Sequence, residues 1–166
     1  MAKKSKVAVI IGSDSDLDVI KNCTDVLKDF GIPYELRILS AHRVPDELSK
    51  YIKAFAKNNI KIVVAAAGGA AHLPGVIASQ TSLPVVGVPV ETKYLKGIDS
   101  LFSIVQMPKG VPVATMAIGE AGARNAAIFA AQVIALEDKK VAERLSAFKM
   151  KQKKAVLEKD KTAGRF

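Results

Sequence analysis

The chain of 166 residues has no tryptophan, three tyrosines, six phenylalanines and one cysteine, Cys23. A single thiol closes no internal disulfide and supplies no cysteine-rich zinc site. Aromatic content of 5% offers few platforms on which single-stranded nucleic acid would stack. No run approaches the roughly 18 to 20 uninterrupted apolar residues of a membrane helix, and the opening Met1-Ala-Lys-Lys-Ser-Lys leads into a β-rich run, not a signal-peptide core. A soluble, cytoplasmic protein is expected. What is present, 49% hydrophobic and 25% charged residues with 11 glycines and 7 prolines, suits one compact domain over residues 1–166 and excludes disorder, collagen and coiled coil.

The formal net charge of +9 changes meaning once it is located. Lys3, Lys4 and Lys6 supply +3, residues 137–166 carry ten basic against five acidic groups, and residues 7–136 hold twelve against eleven. The body is nearly neutral, and the basic C-terminal segment reads as a solvated face. No nucleic-acid partner and no membrane are expected.

Short β-branched or apolar runs at 6–12, 34–39, 61–67, 84–89 and 111–116 predict five strands. Helical patterns separate them at 16–30, 45–57, 72–80, 98–105 and 119–136, and a charged helix is expected at about 138–159. In the first of these helices Leu17, Ile20 and Leu27 fall near one another, with Val19, Cys23, Val26 and Phe30 beside them, so Cys23 is expected to pack in the core. Strands alternating with helices favour right-handed crossovers and a parallel sheet covered on both faces: an α/β three-layer sandwich. The fifth helix is nearly smooth, with Gly122, Ala123, Ala126, Ala127, Ala130 and Ala131, which points to close packing against another subunit.

In open parallel sheets ligands bind beyond the carboxyl ends of the strands, so the residues after each strand carry the functional argument. Gly12-Ser13-Asp14-Ser15-Asp16 opens a helix whose amides suit an anion, yet Ser and Asp are also ordinary caps. The acidic residues leave phosphate, sugar-hydroxyl and metal readings open. Ser40-Ala41-His42-Arg43 is more specific: a guanidinium pairs with phosphate bidentately, and the imidazole beside it exchanges a proton near neutral pH. Ala67-Gly68-Gly69-Ala70-Ala71-His72-Leu73-Pro74-Gly75 lets backbone amides approach a ligand closely, though no Lys-Ser/Thr follows as in a Walker loop. Residues 100–113 are mostly apolar and suit a pocket wall or an interface. A Gly-x-Ser-x-Gly elbow and a Gly-x-Gly-x-x-Gly fingerprint are both lacking, which argues against a serine hydrolase and a dinucleotide enzyme. General acid/base work by His42 on a phosphorylated, hydroxyl-bearing small molecule remains. Two other classes compete with it: a magnesium-dependent phosphoryl-transfer or receiver module built on Asp14 and Asp16, and an RNA-associated module using the C-terminal helix.

Taken together and in register over about residues 7–136, these segments, with Asp99-Ser100-Leu101 and Ser103 through Val113, resemble the N5-carboxyaminoimidazole ribonucleotide mutase family, the bacterial class I type of purine-pathway carboxylase. The resemblance implies a flavodoxin-like homo-octamer that works without metal, ATP or organic cofactor. It also implies a reaction that moves a carboxylate from the exocyclic nitrogen of an aminoimidazole ribonucleotide to ring carbon C4. It assigns substrate binding to Ser13 and Asp16, with sugar hydroxyls on Asp16, phosphate to Arg43 and the proton to His42, and it has Asp14 point away. The substrate-binding set expected from the loops is Ser13, Ser15, Asp16, Ser40, Ala41, Arg43, Gly68, Gly69, Ala70, His72 and Leu73, with His42 catalytic. Animal-type relatives, which use carbon dioxide directly, carry Lys after the His and Gly-Arg-Ser-Asn in the third loop. Arg43 and Gly69-Ala70-Ala71 side with the mutases. Two departures stand out: Leu17 where an aromatic is common, and Ala66 where a glycine is common and an alanine is expected to stiffen the loop.

Overall fold

The computed structural model describes residues 6–163, so Lys3 and Lys4 of the basic N-terminus lie outside the described residues. Five parallel strands, β1 (Val7–Ile11), β2 (Tyr34–Ile38), β3 (Ile62–Gly68), β4 (Val85–Val90) and β5 (Ala114–Thr115), form one sheet in the order β2-β1-β3-β4-β5. This is the flavodoxin-like order, and its reversal lies between β1 and β3. The connections are α1 (Leu17–Asp29), α2 (Pro45–Lys53), α3 (Leu73–Ala78) and α4 (Ile98–Val105), followed by α5 (Gly119–Ala135) and α6 (Lys139–Ala163).

Alternation along the strands divides the interior in two. Val7, Val9 and Ile11 of β1 join Ile62, Val64 and Ala66 of β3 and Val86 and Val88 of β4 under α1, α5 and the start of α6. Ala8 and Ile10, with Val63, Ala65 and Ala67, face α2, α3 and α4 on the other side. Strands buried on both faces need apolar side chains at odd and even positions alike, which explains the unbroken Val-Ala-Val-Ile-Ile run.

Four sequence expectations change. The run 111–116 yields only a two-residue β5: Pro112 has no N–H to give the ladder, and pairing begins at Ala114, opposite Val86. The second helix ends at Lys53, before a series of turns in which Asn59 takes a φ of 62°. Leu17 is 39% exposed, whereas Ile20, Cys23, Val26, Leu27 and Phe30 are buried. Ala66 belongs to the buried interior of β3, not to the loop it was expected to stiffen.

The smooth face of α5 is also used differently from the subunit contact expected for it. Gly122, Ala123, Ala126, Ala127, Ala130 and Ala131 are buried within the chain, against α1 and the sheet. At Gly122 an added Cβ would collide with the Ala117 carbonyl, so only glycine lets α5 approach the segment before it this closely. Helix α6 runs to Ala163, beyond the expected 159, and its first half packs on its own chain. Val141 and Leu145 enter the core, Phe148 meets Phe30 edge-on at 5.5 Å, and the Arg144 guanidinium donates to the Phe30 carbonyl at the end of α1. Gly31, with a φ of +60°, leaves room for that guanidinium. Asp138 starts the helix by accepting the Lys140 and Val141 N–H groups, and it pairs with Lys6 at 2.7 Å; that ion pair first, and then the Val141 N–H, hold its carboxyl below the usual range. No described helix is long and apolar enough to cross a membrane.

Two outcomes follow from this packing. Gly122→Ala destabilises the fold by about 3 kcal/mol, the upper part of the usual overpacking range, which urea titration would read. Burial pushes the Cys23 thiol up to about 12, so a thiol reagent at neutral pH labels the native protein far more slowly than the unfolded chain.

Candidate functional site

A cleft of about 290 Å³ opens beyond the carboxyl ends of β1 to β4, at the position where the strand order reverses. Gly12, Ser13, Ser15 and Asp16 come to it from the loop after β1, Ser40, Ala41, His42 and Arg43 from the loop after β2, and Ala67, Gly68, Ala70, His72 and Leu73 from the end of β3 and the start of α3. Of the expected site residues, all but Gly69 line this cleft. Val90 and Glu91, at the end of β4, were missed, whereas Gly12 and Ala67 open two of the expected loop segments without having been placed in the binding set. The rule that pointed to the other loops, inspection of each strand's carboxyl end, would have found Glu91 as well.

The first loop makes a 3₁₀ turn, Asp14–Asp16, capped by Ser13, whose Oγ accepts the Ser15 N–H at 3.3 Å. The turn sends alternate carboxylates in different directions. Asp14 accepts the Ser13 hydroxyl at 3.1 Å and is exposed outside the cleft lining, as expected, while Asp16 is buried and lines it. Burial raises the Asp16 carboxyl above its ordinary value, an effect tempered by hydrogen bonds from the Ser15 side chain and the Ser13 backbone. Among the described residues no three His, Cys, Asp or Glu side chains gather as a metal site.

The second loop is shaped by Ser40. Its Oγ accepts the Arg43 N–H at 3.3 Å and its carbonyl accepts the Val44 N–H at 3.1 Å, folding His42 and Arg43 outward just before Pro45 begins α2. His42 Nε2 lies 2.8 Å from Nδ1 of His72, which the chain places 30 residues later. His72 occupies the N-cap of α3 without capping it, so the ring is directed to its fellow histidine and not to the helix.

The third loop depends on residues behind it. Gly69 adopts a φ of +68° and gives its N–H to Ser100 Oγ at 2.9 Å, and its carbonyl accepts the Ser103 hydroxyl at 3.2 Å. Ser100 is fully buried and donates in turn to the Val90 carbonyl at 2.7 Å. Gly69 is therefore the anchor of the loop and not part of the cleft wall. Residues 100–113, expected as a wall or an interface, contribute this support from the rear. Ser100 and Ser103 were missed as supports because the contacts span 31 and 34 residues.

The chain is similar to known proteins along most of its length. Residues 6–155 match the family model described as AIR carboxylase. A protein of Thermotoga maritima named N5-carboxyaminoimidazole ribonucleotide mutase is 52% identical over 154 residues, 93% of this chain and 89% of that protein. A protein of Haemophilus influenzae with the same name is 49% identical over 158 residues, 95% of this chain and 96% of that one. The crystal structure of Treponema denticola PurE superposes with a TM-score of 0.87 at 27% identity, covering 96% of this chain and 98% of that chain.

The buried Asp16 carboxyl carries a stability consequence of definite sign. Its raised value means that the folded state holds the proton more tightly than the unfolded chain, so stability falls as pH rises above the ordinary carboxyl value of 3.8 and stays lower at neutral pH. Asp16→Asn therefore raises the melting midpoint at pH 7, and the gain shrinks as the pH is lowered toward 3.8; melting curves across that range check it.

Proposed function

Because the chain belongs to the AIR carboxylase family, we propose that it acts as an N5-carboxyaminoimidazole ribonucleotide mutase, moving the carboxylate of that substrate from the exocyclic nitrogen to C4 of the imidazole in purine biosynthesis. The observation that carries the assignment is the convergence of His42, Arg43, Ser13 and Asp16 with Gly68, Ala70 and His72 of the third loop in one cleft, on a chain about half identical to proteins of that name.

Each group has a task suited to its chemistry. Arg43 offers a planar fork of donors to the phosphate, and the Ser13 hydroxyl adds a hydrogen bond to the substrate. Asp16, an acceptor-only group when ionised, takes the ribose hydroxyls. Ser15, Ser40, Ala41, Gly68, Ala70 and Leu73 shape the surface around the ring, and Gly69 holds the third loop in place. His42 handles the proton. Breaking the carbamate N–C bond leaves its electron pair on the exocyclic nitrogen, which takes a proton from His42 as carbon dioxide departs. C4 then attacks the carbon dioxide, and the hydrogen on C4 passes back to His42. Carbon dioxide must stay beside the ring between these steps, and a wall of small residues clamped by Ser100 leaves it little room to leave.

The enzyme works on a small-molecule ribonucleotide in the cytoplasm, as a homo-octamer and as one unit over the whole chain. Tyr94, Leu95, Ile98, Phe102 and Val105 form an exposed apolar face on and before α4, and such a face calls for a covering partner. Residues 149–163 of α6 are exposed throughout.

Mixing the purified protein with the carbamate ribonucleotide yields the C4-carboxylated product, while the uncarboxylated ribonucleotide with bicarbonate alone does not; product from the second mixture only would move the activity to carbon-dioxide-dependent carboxylation. His42→Asn lowers kcat by about 10²- to 10⁴-fold, the usual worth of a positioned proton carrier, with substrate binding retained by calorimetry. Unchanged turnover in that variant removes His42 from the mechanism.

A further inference from the structure

The two histidines of the chain make a bond, not a packing contact. The 2.8 Å separation of His42 Nε2 and His72 Nδ1 is a hydrogen-bond length, and the rings stand at 88° with centroids 5.0 Å apart. His72 is well placed to hold its partner. Its N–H donates to the Ala70 carbonyl and its own carbonyl accepts the Val76 N–H, at 2.8 and 2.9 Å, so its backbone is fixed on both sides of a ring with no capping duty. A neutral imidazole has one N–H and one lone pair, whereas an imidazolium has two N–H groups. One of the two nitrogens facing each other must therefore be bare.

We infer that His72 is a positioning residue: its Nδ1 accepts the Nε2–H of His42 and thereby fixes Nδ1 of His42 as the nitrogen that exchanges protons with the substrate. The inference rests on the reading of His42 as proton carrier, and the direction of the bond follows from what that work demands. His42 must be an imidazolium before carbon dioxide leaves and neutral afterwards. Were His72 the donor, the bond would last only while His42 is neutral, because an imidazolium would set N–H against N–H. With His72 as acceptor, the same bond serves both states.

The cycle then closes on one nitrogen. At the start Nε2–H points to His72 and Nδ1–H to the carbamate nitrogen. The Nδ1 proton transfers as the N–C bond breaks, and the electron pair of that bond stays on the substrate nitrogen. His42 is left neutral, still holding its Nε2–H on His72, with a lone pair on Nδ1 where the proton had been. After C4 has attacked carbon dioxide, its hydrogen moves to that lone pair. One proton leaves Nδ1 and one returns, and the ring neither turns over nor changes tautomer between the steps. An imidazole without this acceptor would divide its remaining proton between two nitrogens and lose part of each cycle to the wrong one.

Isotopic labelling of the histidine nitrogens reads the bond directly, since the chain has only two histidines. In the unliganded protein at mildly alkaline pH, magnetic resonance should show coupling across the hydrogen bond between His42 Nε2 and His72 Nδ1, with His42 protonated on Nε2 and bare on Nδ1. Lack of that coupling, or a proton on His42 Nδ1, overturns the inference. Neither result depends on turnover, so the product assay tests the mutase reading separately. In kinetics, His72→Ala lowers kcat by about 10- to 100-fold, the usual effect of losing a group that orients a working histidine, with little change in KM. His72→Asn, which offers an amide oxygen near the place of Nδ1, recovers most of that loss. Wild-type kcat in His72→Ala, or a rise in KM alone, returns His72 to the role of a simple substrate contact.

Discussion

A right-handed crossover from one parallel strand to the next must pass over one face of the sheet or the other, and in this chain the choice reverses between β1 and β3. The crossover after β1 runs through α1 on one face, while those after β2, β3 and β4 run through α2, α3 and α4 on the opposite face. Loops that leave adjacent strands toward opposite faces part from each other, and a crevice opens between them. The location of the site is thus a property of the strand order, set before any catalytic residue is considered. Parallel registers tie β1 to β2 and β3, and Ile11 sits level with both Ile38 and Ala66, so the first two loops start from the same height while β3 runs two residues further, to Gly68.

On that foundation the site is held by side chains that stay out of it. Ser40 bends the His42–Arg43 loop through its own hydroxyl and carbonyl. Ser100 joins the Gly69 N–H to the Val90 carbonyl and so couples the third loop to both β4 and α4. A buried hydroxyl that lost either partner would leave a polar group unsatisfied, so this serine has reason to remain where it is although it does not line the cleft. The same economy explains Gly69: its positive φ lets the N–H and the carbonyl of a single residue meet two different serines of α4.

What could be read in the sequence was whatever depended on local pattern. The β-branched runs, the Pro45 and Gly31 boundaries, the buried Cys23 and the post-strand positions of Ser13, His42 and His72 all follow from spacing and residue type, and the sheet with its cleft bears them out. What escaped depended on contacts far along the chain. Nothing near His72 marks it as a hydrogen-bond partner of His42, because the meeting requires the β1-β2 and β1-β3 registers together. Nothing near Ser100 shows that it supports a glycine 31 positions earlier. Local pattern also misled where two readings share one signature: Val111 to Met116 is as apolar as a strand, but Pro112 removes a donor the ladder needs. The alanine stripe of α5 looks the same whether it is buried by its own sheet or by another subunit, and here its own sheet and α1 bury it.

The charge balance of the cleft bears on how such a site would hold its substrate. Among the described residues Arg43 is the one lysine or arginine in the lining, while Asp16 and Glu91 are acidic, and the proposed substrate carries a phosphate and a carboxylate. Fixed charge alone therefore does not favour its entry. Backbone dipoles of the turn leading into α1 help to offset the imbalance without adding a cation, whereas in the third loop the Gly69 N–H is spent on Ser100 and the Ala71 N–H on the Gly69 carbonyl. Dipoles of this kind are held in place by the serine network and need not reorganise when charge shifts during reaction. They also suit a reaction in which the travelling group changes from anionic carbamate to neutral carbon dioxide and back to anionic carboxylate. A full cation against that group would favour the two charged ends of the path and deepen the wells on either side of the barrier. Partial charges favour them less, and under the proposed roles a site that keeps its guanidinium for the phosphate leaves the transferring carbon among small residues, where the neutral intermediate is least disfavoured.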